Sequence, residues 1–82
     1  MLYSDISIYP NPAYSKLYIN DSDQKARLIK LISITGEIVW TSESTIMNYR
    51  TAINLSHMPS GTYFIEITTL DKQKYIQRVV VL

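Results

Sequence analysis

The stretch "GTYFIEITTLDKQKYIQRVVVL", residues 61–82, is typical of two β-strands joined by a tight turn. Its large apolar side chains recur at every second position, at Tyr63, Ile65 and Ile67. Because successive side chains of a strand point to opposite faces, this spacing predicts that all three lie on one buried face. The opposite face of this strand carries Thr62, Phe64, Glu66 and Thr68. The predicted strands and the hairpin turn between them are residues 61–69, 74–82 and 70–73.

The rest of the chain repeats this pattern in short runs separated by polar turns. Tyrosine, isoleucine, valine and threonine are frequent, and the 82 residues include only two glycines, a composition that favours strands. We predict an all-β fold, an immunoglobulin-like antiparallel β-sandwich of about seven strands, with no helix. The five further strands are predicted at residues 3–9, 16–20, 25–34, 38–42 and 49–55.

The third predicted strand has an ambiguous phase. Ile29 and Leu31 suit one face, whereas Ile32 and Ile34 suit the other. Either both faces of this strand are partly buried or it contains a β-bulge. The core is otherwise expected to consist of alternating residues, with Trp40 in it or at its rim. The residues expected to be buried are Ile6, Ile8, Leu17, Ile19, Leu31, Val39, Ile53, Leu55, Tyr63, Ile65 and Ile67.

The segment "YPNP", residues 9–12, interrupts the first strand. Proline lacks the amide that a sheet needs and restricts the residue before it to extended geometry. Pro10 and Pro12 therefore predict a stiff corner between two strands, with Asn11 between them. Two glycines are expected at turns, Gly36 with a positive φ and Gly61 with a positive φ or a close backbone contact.

Composition argues against several classes of function. The eight Lys and Arg residues are scattered and the net charge is +1, so a nucleic-acid interface, which needs a clustered basic face, is not expected. No apolar run approaches the ~20 residues of a membrane helix, and we predict no transmembrane segment. The chain contains no cysteine, so disulfides do not contribute to its stability.

Candidate catalytic and metal-binding residues are few. His57, the single histidine, lies in the predicted turn "SHMPSG" and is interpreted as solvated. Asp21 and Asp23 offer the oxygen ligands that calcium prefers, but two acids do not make a site, and an ordinary polar turn is the preferred interpretation. We expect no catalytic residue, no metal and no cofactor, and therefore not an enzyme.

Two non-catalytic functions are compatible with these observations. An aromatic platform could make the domain a carbohydrate-binding module of a secreted glycosidase; the candidates are Tyr3, Tyr9, Tyr14, Tyr18 and Tyr49. The domain could also be a passive spacer in an adhesin. A spacer would tolerate a neighbouring domain after it.

Four segments in order carry a family resemblance: "ISIYPNPAYSKLYI" (6–19), "LISITGEIVW" (31–40), "INLSHMPSGTYFIEI" (53–67) and "KYIQRVVVL" (74–82). Together they resemble the C-terminal sorting domain of the type IX secretion system of Bacteroidetes. Ser33 departs from the family, which often has aspartate there; Met58 replaces leucine; and the chain ends in Leu82 instead of lysine. The residues that match the family motifs are Pro10, Asn11, Pro12, Gly36, Leu55, Ser56, Met58, Pro59, Gly61, Tyr63, Lys74, Arg78, Val79 and Val80.

The resemblance implies a non-catalytic secretion signal. Its partners would be the outer-membrane type IX translocon with its shuttle protein and a cell-surface sortase-like peptidase. The attached cargo would pass through the periplasm and end at the cell surface or outside the cell. Residues 1–82 are expected to form a single C-terminal sorting domain, excised from a longer secreted protein whose cargo lies upstream.

The apolar run "VVVL" at residues 79–82 raises a separate expectation. With four apolar residues in succession, both faces of the last strand should meet apolar surface. One face would lie on the core, and the other on a second copy of the domain, giving a homodimer through the terminal strand, or on the secretion machinery by strand addition. Residues 78–82 are accordingly expected to be dispensable for most of the fold but essential for export.

Overall fold

The computed structural model describes residues 6–22, 24–43 and 50–82. That part of the chain forms seven strands and no helix, as predicted. None of its segments is a helix long and apolar enough to cross a membrane. The strands are β1 (Ile6–Tyr9), β2 (Lys16–Asp21), β3 (Ala26–Ser33), β4 (Ile38–Glu43), β5 (Arg50–Asn54), β6 (Gly61–Thr69) and β7 (Lys74–Val81).

The strands form two antiparallel sheets that pack face to face. The smaller sheet has the order β1-β2-β5 and the larger one the order β4-β3-β6-β7. This arrangement is consistent with the predicted immunoglobulin-like sandwich. The hairpin predicted at residues 61–82 lies in the larger sheet, where β6 and β7 pair from Gly61 opposite Val81 to Thr68 opposite Lys74.

The core lies between the sheets and contains most of the residues expected there. Ile6, Ile8, Leu17, Ile19, Leu31, Ile53, Leu55, Tyr63, Ile65 and Ile67 are all buried. Burial of a side chain of this size contributes roughly 1.5–3 kcal/mol. Trp40 and Met58 are partly buried and pack against this core, so Trp40 lies at the rim.

Val39 was expected in the core, and that prediction is wrong. The register of β3 against β4 shifts between Leu31, which is opposite Trp40, and Ile32, which is opposite Ile38. Val39 is therefore the extra residue of a β-bulge, and it is 39% exposed. The ambiguous phase of β3 has a different explanation, because both faces of this strand are partly buried. Ile29 and Leu31 point into the core, Ile32 lies on the outward face, and Ile34 is exposed beyond the strand end.

Burial in the last strand argues against the expectation that residues 78–82 are dispensable for most of the fold. Val79 and Val81 are 0% and 2% exposed and belong to the core. Ala13, Ala26 and Ile29 are likewise buried there, although the sequence pattern does not predict their burial. The last strand thus supplies core side chains as well as the backbone hydrogen bonds that pair it with β6. Its removal would expose part of the core face of the larger sheet.

The predicted and observed strand boundaries agree within one residue wherever the structure describes both. Residues 3–5 of the first predicted strand and residue 49 of the fifth lie outside the described residues. Both glycines have positive φ, Gly36 at 92° and Gly61 at 154°. A Cβ at either glycine would meet nothing within 4 Å. The need for glycine at these positions is therefore one of backbone conformation, not of space.

Candidate functional site

The corner at residues 9–13 carries the chain from one sheet to the other and back. Tyr9 ends β1 in the smaller sheet, and four residues later Ala13 forms a parallel bridge with Val81 at the edge of the larger sheet. The Ala13 amide donates to the Val80 carbonyl, and the Leu82 amide donates to the Ala13 carbonyl, both at 2.8 Å. The corner therefore ties the two layers together at the C-terminal end of β7.

Asn11 completes this junction with its side chain. Its Nδ2 donates to the Arg78 carbonyl at 2.9 Å, and its Oδ1 accepts the Val80 amide at 3.0 Å. The carboxamide thus supplies the donor and the acceptor that a neighbouring strand would offer. Pro10 and Pro12 are exposed, and both bonds preceding them are cis. We call the hydrogen bonds from Asn11 and Ala13 to residues 78–82 the corner clamp.

The corner clamp corrects the expectation of strand addition at the chain end. The carbonyl of Arg78, both backbone polar groups of Val80 and the amide of Leu82 are already paired with Asn11 or Ala13. A second copy or another protein could add a strand at this edge only by displacing the corner. Strand addition at residues 78–82 is therefore incompatible with the closed corner.

Gly61 and Tyr63 lie beside the clamped end of β7. Gly61 is opposite Val81 and Tyr63 is opposite Val79. The Tyr63 hydroxyl donates to the Pro59 carbonyl at 2.6 Å, which resembles the tyrosine corner of immunoglobulin-like sandwiches. This bond fixes the turn that precedes β6, so that Gly61 enters the sheet at the correct register.

The turn containing Gly36 lies at the same end of the larger sheet, because Ser33, the last residue of β3, is opposite Tyr63. The Gly36 amide donates to the Ser33 carbonyl at 2.9 Å. The Glu37 amide donates to the Ser33 hydroxyl at 3.2 Å. Ser33 therefore supplies the short side-chain acceptor that turns favour at their first position, even though it departs from the family's aspartate.

The structure thus brings most of the predicted motif residues to one end of the sandwich. Lys74 is the exception, because it is opposite Thr68 at the far end of the β6–β7 hairpin. Its Nζ lies 3.6 Å from Glu66 Oε2, and Lys30 Nζ lies 4.0 Å from the other oxygen of that carboxylate. Lys74 is therefore part of a surface ion-pair network on the sheet and does not contact the corner.

The tyrosines that suggested a sugar platform only partly come together. The rings of Tyr9 and Tyr18 are 5.7 Å apart and tilted by 32°. The Arg50 guanidinium lies 4.3 Å from the centroid of the Tyr18 ring, so it covers one face of that ring. Tyr14 is 74% exposed and is not part of this pair of rings. Tyr3 and Tyr49 lie outside the described residues.

His57 and the acidic loop are the positions considered for catalysis and for calcium binding. His57 is exposed in the turn after β5, as expected. Asp21 is only 3% exposed, and its Oδ2 accepts the Ala26 amide at 2.8 Å. It is the buried last residue of β2, where the sequence predicted an ordinary polar turn. Asp23 lies outside the described residues. Among residues 6–22, 24–43 and 50–82, no three His, Cys, Asp or Glu residues are grouped to hold a metal ion.

Asp71, in the β6–β7 hairpin, has a carboxyl group whose acidity is changed by a neighbouring side chain. The Thr69 hydroxyl donates to Asp71 Oδ1 at 2.6 Å, and this hydrogen bond lowers the pKa of the exposed carboxyl below its usual value. The same hydroxyl accepts the Gln73 amide at 3.0 Å. The arrangement closes a hairpin and does not form a reactive centre.

Sequence reasoning missed Ala13, which is fully buried at the centre of the corner clamp. A single alanine after a proline has no periodicity by which to recognise it. The only available signal was its position directly after "PNP", where a small side chain allows the corner to approach the edge of β7.

Comparison with known proteins supports the interpretation of these motifs. No curated protein matches the chain. A family model described as "Secretion system C-terminal sorting domain" matches residues 7–82, which includes the corner, both glycine turns and the terminal strand. The chain therefore belongs to the family of type IX secretion system C-terminal sorting domains and carries a sorting signal of that system.

Proposed function

We propose that residues 1–82 act as one non-catalytic sorting domain at the C-terminal end of a longer secreted protein, and direct the upstream cargo across the outer membrane. The observation that carries the proposal is the corner clamp. It joins Asn11 to Val80, 69 positions later in the chain, by a side-chain hydrogen bond to the backbone. The family's first and last motifs thus form one folded unit, which is complete only when the whole domain has folded.

In this proposal the motif residues mainly maintain the shape of the signal. Asn11 is directed at the chain's own backbone, and Tyr63 is buried with its hydroxyl bonded to Pro59. These groups are used in internal contacts, so a receptor would bind other surfaces of the folded domain. Pro10, Pro12, Gly36 and Gly61 have the same role, since they set backbone geometry at the corner and the turns.

The partners in this proposal are the outer-membrane translocon with its shuttle protein, followed by a sortase-like peptidase at the cell surface. The cargo passes through the periplasm and ends at the surface or in the medium. No chemistry is assigned to the domain itself. The side-chain hydrogen bonds of Ser33, Asn54 and Thr69 close turns, and this is consistent with a role in presentation rather than catalysis.

The experiment is to fuse the 82 residues to the C-terminus of a fluorescent reporter that carries a periplasmic signal peptide. The fusion is expressed in a bacterium with a type IX system, beside the same reporter without the domain. We expect the reporter to reach the surface or the medium only when it carries the domain. Equal retention of both reporters in the periplasm would overturn the proposal.

A further inference from the structure

The outward face of the larger sheet is apolar where alternation would place polar residues. Phe64 on β6 is opposite Ile32 on β3, which is opposite Ile38 on β4. These three side chains form a row across three strands. On the other side of Phe64 lies Arg78 of β7, flanked along that strand by Ile76 and Val80. We call these six residues the outward patch.

The outward patch is accessible to a partner. Ile38 and Ile76 are 52% and 63% exposed, and Ile32, Phe64 and Val80 are partly exposed. The hydrophobic side chains belong to four adjacent strands, so they form a continuous surface and not scattered single residues. An exposed apolar surface that spans adjacent elements is typical of an interaction site.

Charge around the outward patch distinguishes between possible partners. Glu66 lies next to Lys30 and Lys74 and forms an ion pair with each. Arg78 is exposed and, within the described part of the chain, makes no ion pair. The face therefore has more positive than negative charge. Two copies packed face to face would bring these positive charges together, which is unfavourable.

A lipid surface also fits the outward patch poorly. Phe64 and Ile32 lie in the middle of a sheet, partly covered by their neighbours, and cannot extend into the acyl region as the residues of an interfacial helix do. A protein surface with an apolar centre and a carboxylate opposite Arg78 matches both the shape and the charge.

We propose that the outward patch is the surface by which the sorting domain docks onto a protein component of the secretion machinery, one that presents an apolar contact surface with a carboxylate for Arg78. This inference rests on the proposed function. It assigns recognition to Ile32, Ile38, Phe64, Ile76, Arg78 and Val80, and leaves the corner clamp with a structural role. Only Arg78 and Val80 also belong to the family motif.

The test uses the reporter fusion with the double substitution Ile38→Thr and Phe64→Thr. Threonine is a good strand residue and already lies on this face at Thr62 and Thr68. Loss of an aromatic and an aliphatic anchor is expected to lower the exported fraction by at least about tenfold, while the purified domain keeps a cooperative melting transition. Leu70→Thr is the control, since Leu70 is also 63% exposed but lies in the hairpin turn, and it should export normally.

Two further variants keep the test decisive if the double variant folds poorly. Ile76→Thr changes a side chain that is already mostly exposed, and should lower export without affecting melting. Arg78→Glu should lower export, whereas Arg78→Lys should retain most of it, because only the first reverses the charge. Normal export of Ile76→Thr and of Arg78→Glu would overturn the docking surface.

The controls separate this inference from the proposed function and from other occupants. If the wild-type domain does not support export, the proposed function fails. If it does, but the patch variants export normally, only the docking surface fails. Light scattering should show a monomer; a dimer that is lost on Phe64→Thr would overturn the proposal in favour of a second copy. Binding to phosphatidylethanolamine–phosphatidylglycerol vesicles that depends on Phe64 would overturn it in favour of a membrane.

Discussion

Asn11 pairs with Val80 as a neighbouring strand would. Its Oδ1 accepts the Val80 amide at 3.0 Å, and its Nδ2 donates to the carbonyl two residues earlier at 2.9 Å. The two residues are 69 positions apart, so this contact closes nearly the whole chain. The prolines on both sides of Asn11 limit the backbone conformations of the corner and thereby reduce the entropy lost when the contact forms.

The Asn11→Ala variant should lose both hydrogen bonds of the side chain and leave the Val80 amide at the sheet edge without an acceptor. We expect a loss of about 1–3 kcal/mol in the free energy of unfolding and faster hydrogen exchange of the Val80 amide. Asn20→Ala is the matched control, because its side chain accepts an exposed bond from Tyr9, and it should have little effect. Unchanged exchange at Val80 would show that the Asn11 contact is not formed.

Val79 and Val80 are adjacent residues that should respond differently to the same change. Val79 is fully buried and Val80 lies on the outward face. Val79→Ala is expected to destabilise the domain by about 1.5–3 kcal/mol, the scale for burial of such a side chain, and Val80→Ala by clearly less. Chemical denaturation of the two variants measures the difference. Equal stability losses would contradict the inward and outward assignment of β7.

Gly61 has a φ of 154° with open space where a side chain would extend. A Cβ there is disfavoured by the backbone conformation alone, so Gly61→Val should lower stability by more than about 1 kcal/mol. The neighbouring Ser60→Ala, at an exposed position, should change it little. An unchanged melting temperature for Gly61→Val would refute the account of this residue.

The Tyr63 hydroxyl fixes the turn before β6 through its bond to the Pro59 carbonyl. Tyr63→Phe removes only that bond, and we expect it to cost about 0.5–1.5 kcal/mol. Tyr14→Phe provides the control, since Tyr14 is 74% exposed and should be neutral. Thermal unfolding of both proteins is the measurement, and a stability of Tyr63→Phe equal to that of Tyr14→Phe would argue against a structural role for the hydroxyl.

Thr69 should control the acidity of Asp71, because its hydroxyl bond to the carboxylate lowers the Asp71 pKa. A carboxyl with a lowered pKa in the folded state stabilises the fold above its unfolded pKa, and this contribution disappears as the pH falls through the folded value. Thr69→Val should raise the Asp71 pKa towards its usual value, and Thr69→Ser should keep it low. Titration of the Asp71 carboxyl by NMR tests this, and the same pKa in both variants would exclude the hydroxyl as the cause.

The alternation of apolar residues was enough to predict the strands and most of the core. Tyr63, Ile65 and Ile67 are buried as their spacing indicated, because the period of a strand relates sequence directly to its faces. Val39 was misplaced because one extra residue in β4 reverses that relation locally. A bulge depends on the pairing with the neighbouring strand, which the periodicity of β4 alone does not contain.

The candidate site was less predictable than the fold. Family resemblance identified Pro10, Asn11 and Val80, but nothing in their spacing indicated that Asn11 binds the backbone of the last strand. The contact depends on a crossing between sheets and on Ala13, whose side chain carries no pattern. The one indication of the outward patch in the sequence was that β3 and β7 carry apolar residues on both faces. Its row across Ile38, Ile32 and Phe64 depends on the order of the strands in the sheet, which the sequence pattern does not contain.

The central claim, that the chain is a sorting signal, is tested most directly by the fraction of a reporter that external protease can reach. The 82-residue fusion is compared in two otherwise identical strains, with and without the type IX translocon. We predict that the reporter is degraded by external protease in the first strain and protected in the periplasm of the second. Protection in both strains, or equal degradation in both with the outer membrane intact, would contradict the account.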